Sequence, residues 1–122
     1  MERTFIQAIG HGIEGLAIAA DNFIFNLQHR IVEQALPYRL PVVYDVRVFP
    51  EAGGLVSYGA DVVETWLQAG QFAGKILNGE SVAELPVLQP TKFELVINLK
   101  TAKALGLTIP PSLLGRGDQV IE

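Results

Sequence analysis

The chain has no cysteine, one methionine, one tryptophan and two histidines in 122 residues. Without thiols there are no disulfides, no thiolate metal sites and no cysteine nucleophile, and the redox compartment stays open. Positive charge is also scarce: nine lysines and arginines against thirteen acids give a net charge of −4. A phosphate-binding face needs clustered basic residues, so nucleic acid is not expected as a partner. No lysine- and arginine-rich cluster points to an anionic membrane surface either. Long apolar runs are missing as well. None reaches the roughly 18 uninterrupted residues of a membrane span. The opening "MERTFIQAIGHGIEG" has no signal-peptide pattern.

What is present is apolar. Hydrophobic residues make up 49% and charged residues only 18%, which argues for a packed chain over a disordered one. The length fits one compact domain or part of a larger one. Such a composition is greasy for a small domain, so some apolar surface is expected to meet a partner.

Thr4 to Ile9 reads as the tail of a helix with Phe5, Ile6 and Ile9 on one face, stopped by Gly10 and Gly12. Ile13 to Ala20 suits a short strand buried on both faces. Asn22 is placed to cap a helix carrying Ile24, Leu27, Ile31 and Ala35, ended by Pro37. "LPVVYDVRVF" is a strand, "PEAGG" a turn and "LVSYG" a third strand. Asp61, with Glu64 three residues on, opens the clearest helix, striped by Val62, Trp66, Leu67, Ala73, Ile76 and Leu77 and stopped at Asn78-Gly79. Trp66 is expected in the core. "SVAELPVLQPT" is an extended linker. "KFELVINL" alternates as a half-buried strand, with Asn98 on its polar side. "KTAKALG" is a short helix, and "IPPSLLGRGDQVIE" a proline-started turn and tail.

This alternation predicts an α/β fold, a mostly parallel sheet flanked by helices. Ligands of such sheets lie beyond the carboxyl ends of the strands. Asp21 and Asn22 follow the first strand, in the abrupt polar break of "IAADNFIFN". Asp45 and Arg47 lie near the end of the second strand, and Tyr58, Gly59 and Asp61 follow the third. These seven are the candidate ligand-binding residues. The plain alternative is that Asp21-Asn22 only caps a helix.

Other chemistry falls away. "GHGIEG" fits G-x-G-x-x-G but precedes a strand, where the dinucleotide fingerprint follows one. "GLVSYG" fails the nucleophile-elbow pattern because Leu55 stands two before Ser57. His11 with Glu14 is too sparse for a metal site, and His29 reads as helix surface. Arg116-Gly117-Asp118 is a three-letter match that chance explains. No cofactor, no metal and no enzymatic activity are expected.

The stretches "EAGGLVSYGAD", "AGKILNGE" and "ELPVLQPTKFELVINLKTAKALGLTIPPSLL", preceded by "IEGLAIAADNF" and "LPVVYDVR", resemble the C-terminal portion of the ABC-transporter substrate-binding proteins of the tryptophan and aromatic amino-acid type. The resemblance covers nearly the whole chain. It implies a type I periplasmic-binding-protein fold: two α/β lobes, three crossing strands and a ligand cleft between the lobes. Here it implies a single partial domain over 1–122, the second lobe and hinge-crossing segments, with most of the first lobe absent.

Tyr58-Gly59 would then be a hinge crossing, the Asp61–Gly79 helix would pack with the first lobe, and "QPTKFELV" would cross back. The family's T-D-N turn reads Ala20-Asp21-Asn22 here, which loses a hydroxyl at the first position. The resemblance implies that Asp21 receives a ligand ammonium and that Asn22 donates and accepts. It puts Tyr58 and Asp61, from Y-G-x-D, near the cleft, and Arg47 opposite a carboxylate.

The implied function is the solute-binding component of an ABC importer for an aromatic or branched amino acid. The implied partners are a small-molecule ligand and an ABC permease, and the implied location is periplasmic or extracytoplasmic. Apolar surface left uncovered predicts a homo-oligomer, a dimer in the simplest case. A small cytosolic dimeric regulatory or ligand-sensing domain is the alternative, supported by the lack of a signal-peptide pattern.

Overall fold

The computed structural model describes residues 2–19 and 21–122. The chain divides into two compact units, one holding the residues up to Gly59 together with Glu94–Glu122, the other Ala60–Phe93.

The elements run α1 (Glu2–Gly10), β1 (Leu16–Ile18), α2 (Asn22–Phe25), α3 (Gln28–Ala35), β2 (Val42–Tyr44), α4 (Val48–Glu51), β3 (Val56–Ala60), α5 (Val62–Leu77), β4 (Phe93–Asn98), α6 (Leu99–Leu105), α7 (Pro111–Leu114) and β5 (Gln119–Ile121). The five strands lie in the order β1-β2-β3-β4-β5. β1 pairs parallel with β2, with Ile18 beside Tyr44, and β2 pairs parallel with β3, with Tyr44 beside Ser57. β4 and β5 are parallel to each other. Asn98 N donates to Leu55 O at 2.9 Å and Asp61 N to Lys92 O at 3.0 Å, so β4 runs against β3. The sheet is therefore mostly parallel with one antiparallel seam, an α/β fold as expected.

Helices α1, α3 and α4 pack one face of β1 and β2. Phe5, Ile31, Val32, Ala35, Leu40, Val42, Tyr44 and Phe49 form this core. Tyr44 stacks on Phe49 with ring centres 4.5 Å apart, and burial pushes its phenol up to about 12. On the other face Ala17 and Val43 are exposed. The expected strand buried on both faces is thus covered on one face only, because the helices of this unit pack on one side of β1–β2.

Several local expectations need correction. The stripe Ile24–Leu27–Ile31–Ala35 is right, but the helix breaks into α2 and α3. Asn26 Nδ2 donates to Asn22 O at 2.6 Å, and a side chain competing for a backbone carbonyl ends the first turn. The strand read through "LPVVYDVRVF" stops at Tyr44, and Pro50 and Glu51 of the supposed "PEAGG" turn belong to α4. Pro50 has the fixed φ that a first helical turn accepts.

Strand β4 is buried from Leu95 to Asn98, not half-buried, because β3 and β5 flank it. Asn98 is interior: its Oδ1 accepts from Thr101 N at 3.0 Å to cap α6, and its Nδ2 donates to Pro50 O at 2.9 Å. The supposed tail ends in β5. Asp118 N donates to Leu95 O at 2.8 Å and its Oδ2 accepts from Leu95 N at 2.8 Å, so this residue of the RGD triplet fastens β5 to β4.

In the unit Ala60–Phe93, α5 has the expected bounds. Asp61 caps it and Asn78 closes it. Trp66, however, is 73% exposed, not core, and no residue of α5 is buried. Among the described residues no helix is long and apolar enough to cross a membrane.

Candidate ligand-binding rim

Because β1, β2 and β3 are parallel and in register, the residues after Ile18, Tyr44 and Ser57 reach the same end of the sheet. Asp21, Asn22, Asp45 and Tyr58 are delivered there by three neighbouring strands. The departure at Ala20 lies outside the described residues.

Asp21, not Asn22, is the cap of α2. Its backbone is extended, and Oδ1 accepts from Ile24 N at 2.8 Å. One carboxylate oxygen satisfies an otherwise unpaired helix donor. The residue remains exposed, and so does Asn22, whose carbonyl takes the Asn26 amide. The capping reading and the ligand reading thus coexist at Asp21.

Strand β3 alternates its faces. Ser57 is buried beside Tyr44, and Tyr58 emerges on the opposite side with 60% exposure. Gly59 follows it where the backbone of Asp45 crowds in. A Cβ at Gly59 would lie 1.8 Å from Asp45 O, so only glycine fits this rim.

Arg47 is spanned by the protein's own groups. Nε donates to Glu51 Oε1 at 2.9 Å, Nη1 to the Glu94 carboxylate at 3.3 and 3.4 Å, and Nη2 to Gln119 Oε1 at 2.6 Å. It ties the end of β2 to the starts of β4 and β5. The carboxylates it faces here belong to Glu51 and Glu94.

Asp61 belongs to the other unit. Its Oδ1 accepts from Val63 N at 2.9 Å and Glu64 N at 3.2 Å, and its Oδ2 pairs with Lys92 Nζ at 2.7 Å. The Lys92 ammonium, ahead of the Glu64 N–H, holds the carboxyl below its ordinary 3.8. This is the geometry of a helix cap locked by an ion pair.

Phe23, in the first turn after β1, was missed in the sequence. It is 71% exposed beside Asn22. Its exposure stands out because Ile24 and Phe25 of the same short helix are partly buried. Among the described residues no group of acids and histidines is arranged to hold a metal ion.

A rim with a carboxylate, an amide and exposed aromatics, on the carboxyl ends of parallel strands, suits recognition of a small amphipathic cation or zwitterion. Residues 3–121 match the family model described as ABC transporter substrate binding protein. The chain belongs to this family.

Its relatives include a tyrosine-binding protein of Clostridioides difficile (strain R20291), 28% identical over 102 residues, 84% of this chain and 30% of that protein. A conserved domain protein from Vibrio cholerae o1 biovar eltor superposes with a TM-score of 0.86 at 26% identity, covering 98% of this chain and 40% of that one. An ABC domain from Streptococcus pneumonia in complex with L-Trp superposes with a TM-score of 0.86 at 27% identity, covering 97% and 40%. The chain spans less than half the length of these relatives. They establish the α/β periplasmic-binding-protein-like fold and the binding-protein family.

Proposed function

We propose that this chain supplies one wall of an amino-acid site in an ABC importer, with an aromatic amino acid as ligand. The observation that carries the reading is the convergence of Asp21, Asn22 and Tyr58 on one rim. The relatives named for tyrosine and solved with L-Trp support the choice of ligand.

In this reading Asp21 uses its remaining lone pairs for the ligand ammonium, and Asn22 donates to the carboxylate. Tyr58 and Phe23 offer faces to the ring. Asp45 and Gly59 set the floor of the rim, and Arg47 holds its strand ends or takes the ligand carboxylate; the family resemblance adds Asp61 as a ligand-binding candidate from the other unit. Closure of a second lobe over the ligand, delivery to an ABC permease and an extracytoplasmic location complete the role. The chain also self-associates, as a homodimer, through apolar surface its own fold leaves exposed.

One wall makes only part of the contacts of a closed cleft, so affinity of the 122-residue chain for L-Trp and L-Tyr is expected to be millimolar. Amide chemical-shift mapping with both amino acids tests this. Shifts confined to residues around 21–23, 45 and 58–59, lost in Asp21→Asn and Tyr58→Ala, support the reading. Shifts elsewhere, no shifts at saturating ligand, or sub-micromolar affinity by calorimetry overturn it.

A further inference from the structure

Arg47 is the only cation among the residues that the three strand ends deliver, 21–22, 45–47 and 58–59. A guanidinium in such a place is the usual receiver of a ligand carboxylate. Here each of its three nitrogens has a side-chain partner within the chain. Nε donates to Glu51 Oε1 at 2.9 Å, Nη1 to the two Glu94 oxygens at 3.3 and 3.4 Å, and Nη2 to Gln119 Oε1 at 2.6 Å.

The topology brings these partners to the rim. Strand β4 runs against β3, so its start lies beside the end of β3, and β5, parallel to β4, starts at the same end. Glu51 stands four residues on from Arg47, one helical turn away. One base thus faces two acids. With Asp21 and Asp45 added, four carboxylates stand against one guanidinium. A ligand carboxylate seated on Arg47 would share it with two glutamates, and like charges at that range repel. Glu94 has little room to swing aside, because its side chain is only 14% exposed.

An ammonium, by contrast, has a receiver. Asp21 spends Oδ1 on the Ile24 N–H at 2.8 Å and keeps Oδ2. A ligand carboxylate finds one neutral donor, the Asn22 side-chain amide.

We infer, taking the rim as an amino-acid wall, that Glu51 and Glu94 set its ligand preference by occupying Arg47, so that it accepts a primary aromatic amine as readily as the amino acid with the same ring. Of the two roles open to Arg47, holding the strand ends excludes taking the ligand carboxylate. Glu51 and Glu94 are positioning residues that act through the guanidinium. The ammonium and the ring supply the recognition. The carboxylate of an amino acid brings negative charge to an acidic end, which offsets its bond to Asn22. Discrimination between amine and amino acid then falls to groups that face this wall.

Tryptamine, L-Trp and indolepropionate share a ring and differ in their charged groups, so ring contacts cancel in the comparison. Each is titrated into the whole isotope-labelled chain. Tryptamine should shift the amides around 21–23, 45 and 58–59 with an affinity equal to or tighter than that of L-Trp. Indolepropionate should leave them in place. Glu51→Gln with Glu94→Gln keeps the acceptors and the shape of the cluster but removes both competing charges. It should move the affinity ratio roughly tenfold towards L-Trp, whereas a merely structural role would weaken both ligands alike. Glu51→Gln alone, on the more exposed side, should move the ratio the same way by a smaller factor and serves if the double variant does not fold. L-Trp binding the parent roughly tenfold more tightly than tryptamine, indolepropionate binding at the rim, or an unchanged ratio in the folded variants overturns the inference. In each of these cases L-Trp still reaches the rim and the amino-acid reading stands. Shifts from none of the three compounds would remove both.

Discussion

Gly59 packs against Asp45 so tightly that a methyl group on it would lie 1.8 Å from the Asp45 carbonyl oxygen. Two strand ends that bear candidate ligand residues therefore touch through bare backbone.

Gly59→Ala must push β2 and β3 apart at the rim. The expected loss is about 3 kcal/mol, in the overpacking range, read as a lower urea midpoint with an unchanged slope. An alanine variant as stable as the parent would show that the contact does not constrain the rim.

Asn98 holds the interior seam between β4, α6 and α4. Asn98→Ala removes the cap and leaves Pro50 O without its donor, which is expected to destabilise by about 2–3 kcal/mol. Asn98→Asp retains a cap acceptor but sets a carboxylate against that carbonyl, so it should recover little. Thermal melts of both variants check the order.

The Arg47 network predicts a role in holding strand ends together. Arg47→Met strands the largely buried Glu94 carboxylate and should cost about 2 kcal/mol after screening by solvent. In Arg47→Met with Glu94→Leu the loss should be smaller than in Arg47→Met alone, because the carboxylate left behind, that of Glu51, is the more exposed of the two. Equal stability of parent and Arg47→Met in chemical denaturation would contradict this.

The Asp61 carboxyl is held below its ordinary 3.8 by Lys92, so the folded state binds its proton less readily than the unfolded chain. Stability from this group is then fully present above that value and is lost as pH falls below it. Denaturation midpoints of the parent should drop on acidification in this range more steeply than those of Asp61→Asn. Parallel pH profiles would remove the ion pair as the cause.

Much of this architecture is written locally. The α5 helix could be read from Asp61 to Asn78 because capping and apolar spacing act within a few residues. The end of α6 at Gly106 is likewise local: its backbone adopts the left-handed conformation with φ 74°. The rim residues 21, 45 and 58 were legible because a parallel sheet repeats the same strand direction. The cap read at Asn22 falls on Asp21 instead, since two neighbouring residues with equal capping propensity differ only in which one the chain leaves extended. Phe23 escaped notice because spacing alone does not tell an exposed ring from a buried one.

The sequence by itself determined the order of the first four strands and the longer helices between them, the cap at Asp61 and the family, because propensities, caps and motifs depend on neighbours along the chain. Only the tertiary structure decided that β4 runs against β3, that Asn98 is interior, that Arg47 spans to Glu94 and Gln119, and that Trp66 stands in solvent. Those outcomes rest on contacts between residues tens of positions apart, where burial, not local preference, sets the free energy.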